Sequence, residues 1–167
     1  MPPKKTILLF GLLLLLVPSV VAGDAAGPGP AAESGGISLP WRSDFAASLA
    51  LAQKEGKVVL VNFTGSDWCV WCHRLRDEVF LTPVFAAYSA KDPILVELDF
   101  PRKTPLPAAV ELQNRTLAEK YEVTGYPTIL LLQADGKVLG RLGYMQGGPK
   151  TFVRELKHLA ASRPNQG

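Results

Sequence analysis

Two cysteines, Cys69 and Cys72, stand two residues apart and are the only cysteines in the chain. A pair at that spacing can cycle between dithiol and disulfide. The competing use of two cysteines is a structural bridge. Such a bridge stabilises chiefly by closing a long loop, and this gap closes almost none. The flanks suit redox chemistry. A β-branched apolar run, residues 58–63, comes first, a turn at 64–67 follows, and helical spacing resumes at Leu75, Val79 and Phe80. The first sulfur therefore falls at a helix N-terminus, where unpaired N–H groups and the helix dipole favour a thiolate. Such placement moves a cysteine pKa from roughly 8.5 to about 3.5–7.5. Cys69 is expected to be the exposed nucleophile. Cys72, one turn on, is within reach to resolve a mixed disulfide. His73 as imidazolium would favour a nearby thiolate, and Asp67 would oppose one if the two are close.

The same residues carry a second reading. Cys69-Val70-Trp71-Cys72-His73 fits the Cys-x-x-Cys-His pattern of covalent c-type haem attachment. His73 would then be the proximal ligand and Met145 a distal one, making the protein an electron carrier. The β-rich flanks argue against a small helical haem domain. Two cysteines and one histidine supply too few ligands for a closed zinc site, so no metal is expected. A redox-silent binding module is the third class, and nothing in the cysteine pair favours it.

These residues must be positioned by the elements around them. Ser43 reads as an N-cap, with Asp44 in the first turn and Phe45, Leu49 and Ala52 on one helical face until Gly56. Residues 58–63 fit a strand covered on both faces. Thr82-Pro83 reads as a cap followed by proline at the first helical position. Residues 94–100 form a second apolar strand, and the proline-rich 101–107 a loop. Residues 108–121 are helical in pattern and 128–132 form a third strand. Asp135-Gly136 marks a hairpin turn into a fourth strand at 137–142. Phe152, Val153, Leu156 and Leu159 give a closing helix, with His158 on its surface. Strands separated by helices imply parallel pairing, with one antiparallel strand added by the hairpin. The expected class is α/β, a mixed central β-sheet flanked by helices on both faces.

The N-terminal region reads as an address. Lys4 and Lys5 precede an apolar run at 7–17, Pro18-Ser19 breaks it, and Val20-Val21-Ala22 is a small-residue cleavage pattern. The expected organisation is a cleavable signal peptide at 1–22, a flexible Gly/Ala/Pro linker at 23–40 and one domain at 41–167. An uncleaved anchor is the alternative. Export places the chain in the periplasm or another extracytoplasmic space, where disulfides persist. The formal charge of +3 falls to +1 once Lys4 and Lys5 leave (+3 minus 2). No case arises for a nucleic-acid or anionic-membrane partner.

With these residues in hand, the sequence resembles the thioredoxin superfamily over about Phe45 to Leu159. The resemblance rests on the strand at 58–63, Trp68-Cys69-x-x-Cys72, Tyr126-Pro127-Thr128, the Asp135-Gly136 hairpin and Gly143. It implies the thioredoxin fold and a thiol–disulfide oxidoreductase that needs no cofactor. Its partners would be client proteins and a membrane-bound redox donor. The slight lean is to a reductase, with oxidase or isomerase action open. A monomer is expected. A cis Tyr126–Pro127 peptide facing Cys69 is implied, with Trp68, Trp71, Tyr126 and Pro127 as substrate-binding residues. Three departures stand out. Val70-Trp71 replaces the common Gly-Pro. Asn62 falls where the family carries its buried acid, which makes Glu97 on the neighbouring strand a candidate replacement. The turn at 64–67 is one residue longer than usual.

Overall fold

The computed structural model describes residues 36–162. The expected signal peptide and most of the expected linker lie outside the described residues.

The elements follow the expected order: α1 (Phe45–Glu55), β1 (Val59–Thr64), α2 (Val70–Leu75), α3 (Pro83–Ser89), β2 (Ile94–Asp99), α4 (Ala108–Lys120), β3 (Thr128–Leu132), β4 (Val138–Leu142) and α5 (Gly148–Ala161). The local chemistry explains most boundaries. Thr82 accepts the Phe85 N–H at 3.3 Å, with Pro83 opening α3. Gly56 ends α1 at φ 65°, a left-handed conformation that glycine adopts without steric cost. The α1 cap differs from expectation: Asp44, not Ser43, accepts the Ala47 N–H at 2.9 Å. Asp44 has the extended backbone of an N-cap, while the Ser43 carbonyl receives the Gln113 amide at 2.8 Å. Beyond α2 the chain widens into a π-helical turn, Arg76–Phe80, closed by Leu81 N–H to the Arg76 carbonyl. That widening lets Leu75, Val79 and Phe80 all reach the core.

The sheet order is β2-β1-β3-β4. β1 and β2 are parallel, while β3 is antiparallel to β1 and to β4. The parallel pairing expected for β3 is corrected here. A crossover makes strands parallel only if it carries the chain to the opposite end of the sheet. Phe100, just after β2, and Tyr126, just before β3, touch with ring centroids 5.1 Å apart. The connection thus begins and ends at the same sheet end, so β3 must run back. A further edge strand is reduced to one parallel bridge between Arg42 and Val96.

Strand alternation sorts the core into two layers. Leu60, Leu95, Ile129 and Leu131 pack with Leu75, Phe80, Phe85, Phe152 and Leu156. Val59, Val61, Phe63, Val96, Leu98, Leu130 and Leu132 pack with Phe45, Ala52, Leu117 and Tyr121 on the other face. Leu39 and Trp41 join the first layer from the N-terminal side, and Leu39 belongs to the segment expected as linker. Among the described residues no helix is long and apolar enough to cross a membrane.

Candidate active site

Cys69 follows the turn at the C-terminal end of β1 and is the N-cap of α2. Its sulfur accepts the Cys72 N–H at 3.2 Å, and its carbonyl accepts the His73 N–H at 3.1 Å. The first sulfur therefore sits where a thiolate gains most from the helix terminus. Cys69 and Cys72 are joined as a disulfide. The expected exposure of Cys69 is corrected: Cys69 is 4% and Cys72 5% exposed. The bond draws both sulfurs into the first helical turn, so position at the cap, not accessibility, distinguishes them.

The turn before the cysteines is held by a β2 side chain and by backbone N–H groups of the loop after β2. Asp99 accepts the Ser66 N–H at 2.8 Å and the Ser66 hydroxyl at 2.5 Å. Asp67 accepts the backbone N–H of Arg102 at 3.0 Å and of Lys103 at 2.7 Å. These backbone donors, Arg102 first, hold the Asp67 carboxyl below its ordinary value. Asp67 is thus spent on bracing the extra-long turn. His73 reaches back to the Ser66 carbonyl at 2.7 Å. A carbonyl only accepts, so the His73 Nε2 carries the proton. The haem reading does not fit this arrangement. Both sulfurs are bonded to each other, the His73 ligand nitrogen is engaged by Ser66, and Met145 packs against the core.

Tyr126–Pro127 is cis, as the resemblance implies. The Trp68 indole is committed to packing. Its N–H donates to the Phe100 carbonyl at 2.8 Å, its ring meets Tyr126 edge-on at 5.6 Å, and the Arg102 guanidinium lies 3.8 Å above it. Gly65 leaves room for it, since a Cβ there would run into the indole. Val70 and Trp71, by contrast, are 67% and 51% exposed. The Trp71 ring lies 5.1 Å from Tyr144, and the Arg74 guanidinium is 5.2 Å from the one ring and 5.0 Å from the other.

Strand parity puts Asn62 and Glu97 on the same face as α2. Asn62 is even with Leu60, Glu97 is odd with Leu95, and the two are register partners. The Asn62 amide donates to the Glu97 carboxyl at 3.1 Å. Both line a cavity of about 310 Å³ together with Cys72, His73, Arg76 and Ser66. Burial is the largest influence on Glu97 and raises its pKa, partly opposed by the Asn62 hydrogen bond. A carboxyl so placed is suited to hold a proton in the cavity that Cys72 also borders.

Several of these groups escape a sequence reading. Ser66, Asp99 and Arg102 come together only because β1 and β2 are parallel and in register, a pairing no local pattern specifies. Arg74 and Glu78 were findable as an i,i+4 ion pair. Tyr144 gave no signal.

Comparison with known proteins agrees with this geometry. A family model described as a thioredoxin-like domain matches residues 45–160. The chain is 33% identical over 150 residues to the disulfide bond reductase DsbH of Chlamydia pneumoniae, covering 88% of this chain and 90% of that protein. It is 34% identical over 130 residues to a thioredoxin H-type of Oryza sativa subsp. indica, covering 75% and 91% of the two chains. A solved structure of a DsbH oxidoreductase superposes with a TM-score of 0.72 at 30% identity, covering 85% of this chain and 96% of that one. The chain belongs to the thioredoxin-like family and is a thiol–disulfide oxidoreductase with its redox pair at Cys69 and Cys72.

Proposed function

We propose that the chain is an exported reductase of protein disulfides. The cavity shared by Cys72 and the half-buried Glu97 supports dithiol–disulfide exchange, and the likeness to a disulfide bond reductase carries the reductive direction. A dithiol that opens a client disulfide must shed the Cys72 proton before the second step. The Cys69 thiolate attacks the client disulfide, forms a mixed disulfide and releases one client thiolate. Glu97 takes the proton from the Cys72 thiol. The new thiolate attacks the Cys69 sulfur and expels the second client sulfur as a thiolate, which takes a proton from Glu97 or solvent, leaving the Cys69–Cys72 disulfide. Two electrons pass from the pair to the client, and a membrane-bound dithiol donor restores them. The likeness to a disulfide bond reductase over most of both chains supports the direction. The Lys4-Lys5 pair, the apolar run and the Val20-Val21-Ala22 pattern support export. In this reading Trp71, Tyr126 and Pro127 receive the client chain, which the exposure of Trp71 and the cis Tyr126–Pro127 peptide support.

Two parallel assays test the direction. The reduced protein, resupplied by dithiothreitol, is expected to open insulin disulfides catalytically. The oxidised protein is expected to be a poor donor of disulfides to a reduced, unfolded client. Faster oxidation than reduction at equal protein concentration would reverse the assignment.

A further inference from the structure

Beside the disulfide lies a cluster that the redox chemistry itself does not use. Trp71 stands between the two cysteines in sequence and half of it is open to solvent. A free indole at such a place would sample several rotamers. Here it is stacked. Arg74 lies against the rings of both Trp71 and Tyr144, which themselves touch. Glu78 then ties the cluster together. It accepts the Arg74 Nε–H at 2.9 Å and the Tyr144 hydroxyl at 2.6 Å. These two hydrogen bonds, Tyr144 first, hold the Glu78 carboxyl below its ordinary value. Arg74 and Glu78 cancel in charge, so the ledge beside the cysteines is aromatic and locally neutral. Val70, 67% exposed, extends it on the same turn. Tyr144 comes from beyond β4, which anchors the α2 surface to a distant part of the chain.

We propose that Tyr144, through its hydroxyl bond to Glu78, is a positioning residue that fixes the Trp71 indole as a ledge for apolar client residues flanking the scissile disulfide. The occupant is an extended client segment with aliphatic or aromatic side chains next to its cysteine. A neutral aromatic surface offers such a segment burial without stranding a charge. This rests on the reading of the protein as acting on polypeptide disulfides.

The test uses the reduced protein and three substrates: a peptide disulfide flanked by leucine and tryptophan, the same peptide flanked by serine and glycine, and a small hydrophilic disulfide. The wild type is expected to favour the apolar peptide. Trp71→Ala should cut its reaction with that peptide about tenfold, consistent with loss of one aromatic contact. Tyr144→Phe should cut it about threefold, as expected for one hydrogen bond to a charged acceptor at an exposed site. Tyr144→Phe should stay within about twofold of wild type on the small disulfide and keep the wild-type midpoint potential, since the Tyr144 hydroxyl bonds to Glu78 and not to the cysteines. Glu78→Gln is expected to follow Tyr144→Phe. An undiminished preference in both Tyr144→Phe and Glu78→Gln would overturn the positioning role and leave the reductase reading intact. Equal slowing on all three substrates would overturn it too, because the cluster would then act on cysteine reactivity. A wild type that opens the small disulfide but neither peptide would overturn both readings.

Discussion

Cys69→Ser is expected to abolish disulfide reduction, by roughly 10³-fold or more, because a serine hydroxyl at neutral pH cannot replace a thiolate nucleophile. Cys72→Ser should behave differently. Its Cys69 still attacks, but nothing resolves the product, so a mixed disulfide with the client accumulates and survives non-reducing electrophoresis. The asymmetry follows from the helix terminus. Cys69 is the N-cap and accepts the Cys72 N–H, whereas Cys72 lies inside the first turn, where the dipole helps a thiolate less. Burial makes no such distinction, since the two are almost equally covered. Accumulation of the mixed disulfide in Cys69→Ser rather than Cys72→Ser would exchange the two roles.

Glu97→Gln carries the second large effect. Glutamine keeps the shape and can still accept the Asn62 amide, but it cannot take a proton. A positioned general base is worth about 10²-fold or more, so turnover should fall by about that factor, with the loss confined to resolution of the mixed disulfide. A drop of less than about twofold would remove Glu97 from the mechanism. The same variant should be more stable than wild type at neutral pH. Burial raises the folded pKa of Glu97 above its ordinary value of 4.5. Folding therefore favours the protonated form. That contribution is fully present below 4.5 and is lost as pH rises through the raised folded value. The stability difference, wild type minus Glu97→Gln, should accordingly decline as pH rises above 4.5. Chemical denaturation of both proteins across pH would read it. A variant slower in turnover yet more stable at neutral pH is the signature of a strained functional carboxyl, and a structural ion-pair partner would show the reverse.

The sequence made the redox pair legible because its chemistry is local: strand, turn and helix cap lie within fifteen residues of one another. Elements were equally legible where composition was decisive, as in the Thr82-Pro83 cap and the apolar strand at Thr128–Leu132. The direction of β3 was not. It depends on where the connection after β2 ends, and that is set by the Phe100–Tyr126 contact rather than by any periodicity. Asp67 shows the same limit at the site. Next to the cysteines in sequence, it suggested an influence on the thiolate, yet its carboxylate is taken up by the backbone of Arg102 and Lys103. Glu97 was reachable because strand parity alone places it on the α2 face once β1 and β2 are paired. Tyr144 was not reachable, since only the folded sheet brings it to Arg74 and Glu78.

The most direct test of the reductase reading is the midpoint potential of the Cys69–Cys72 pair, measured by equilibrating the purified protein against dithiothreitol or glutathione buffers. The account predicts a value near about −270 mV, at which the reduced pair can drive client disulfides open. A value near about −120 mV would make the oxidised pair a disulfide donor and would contradict it.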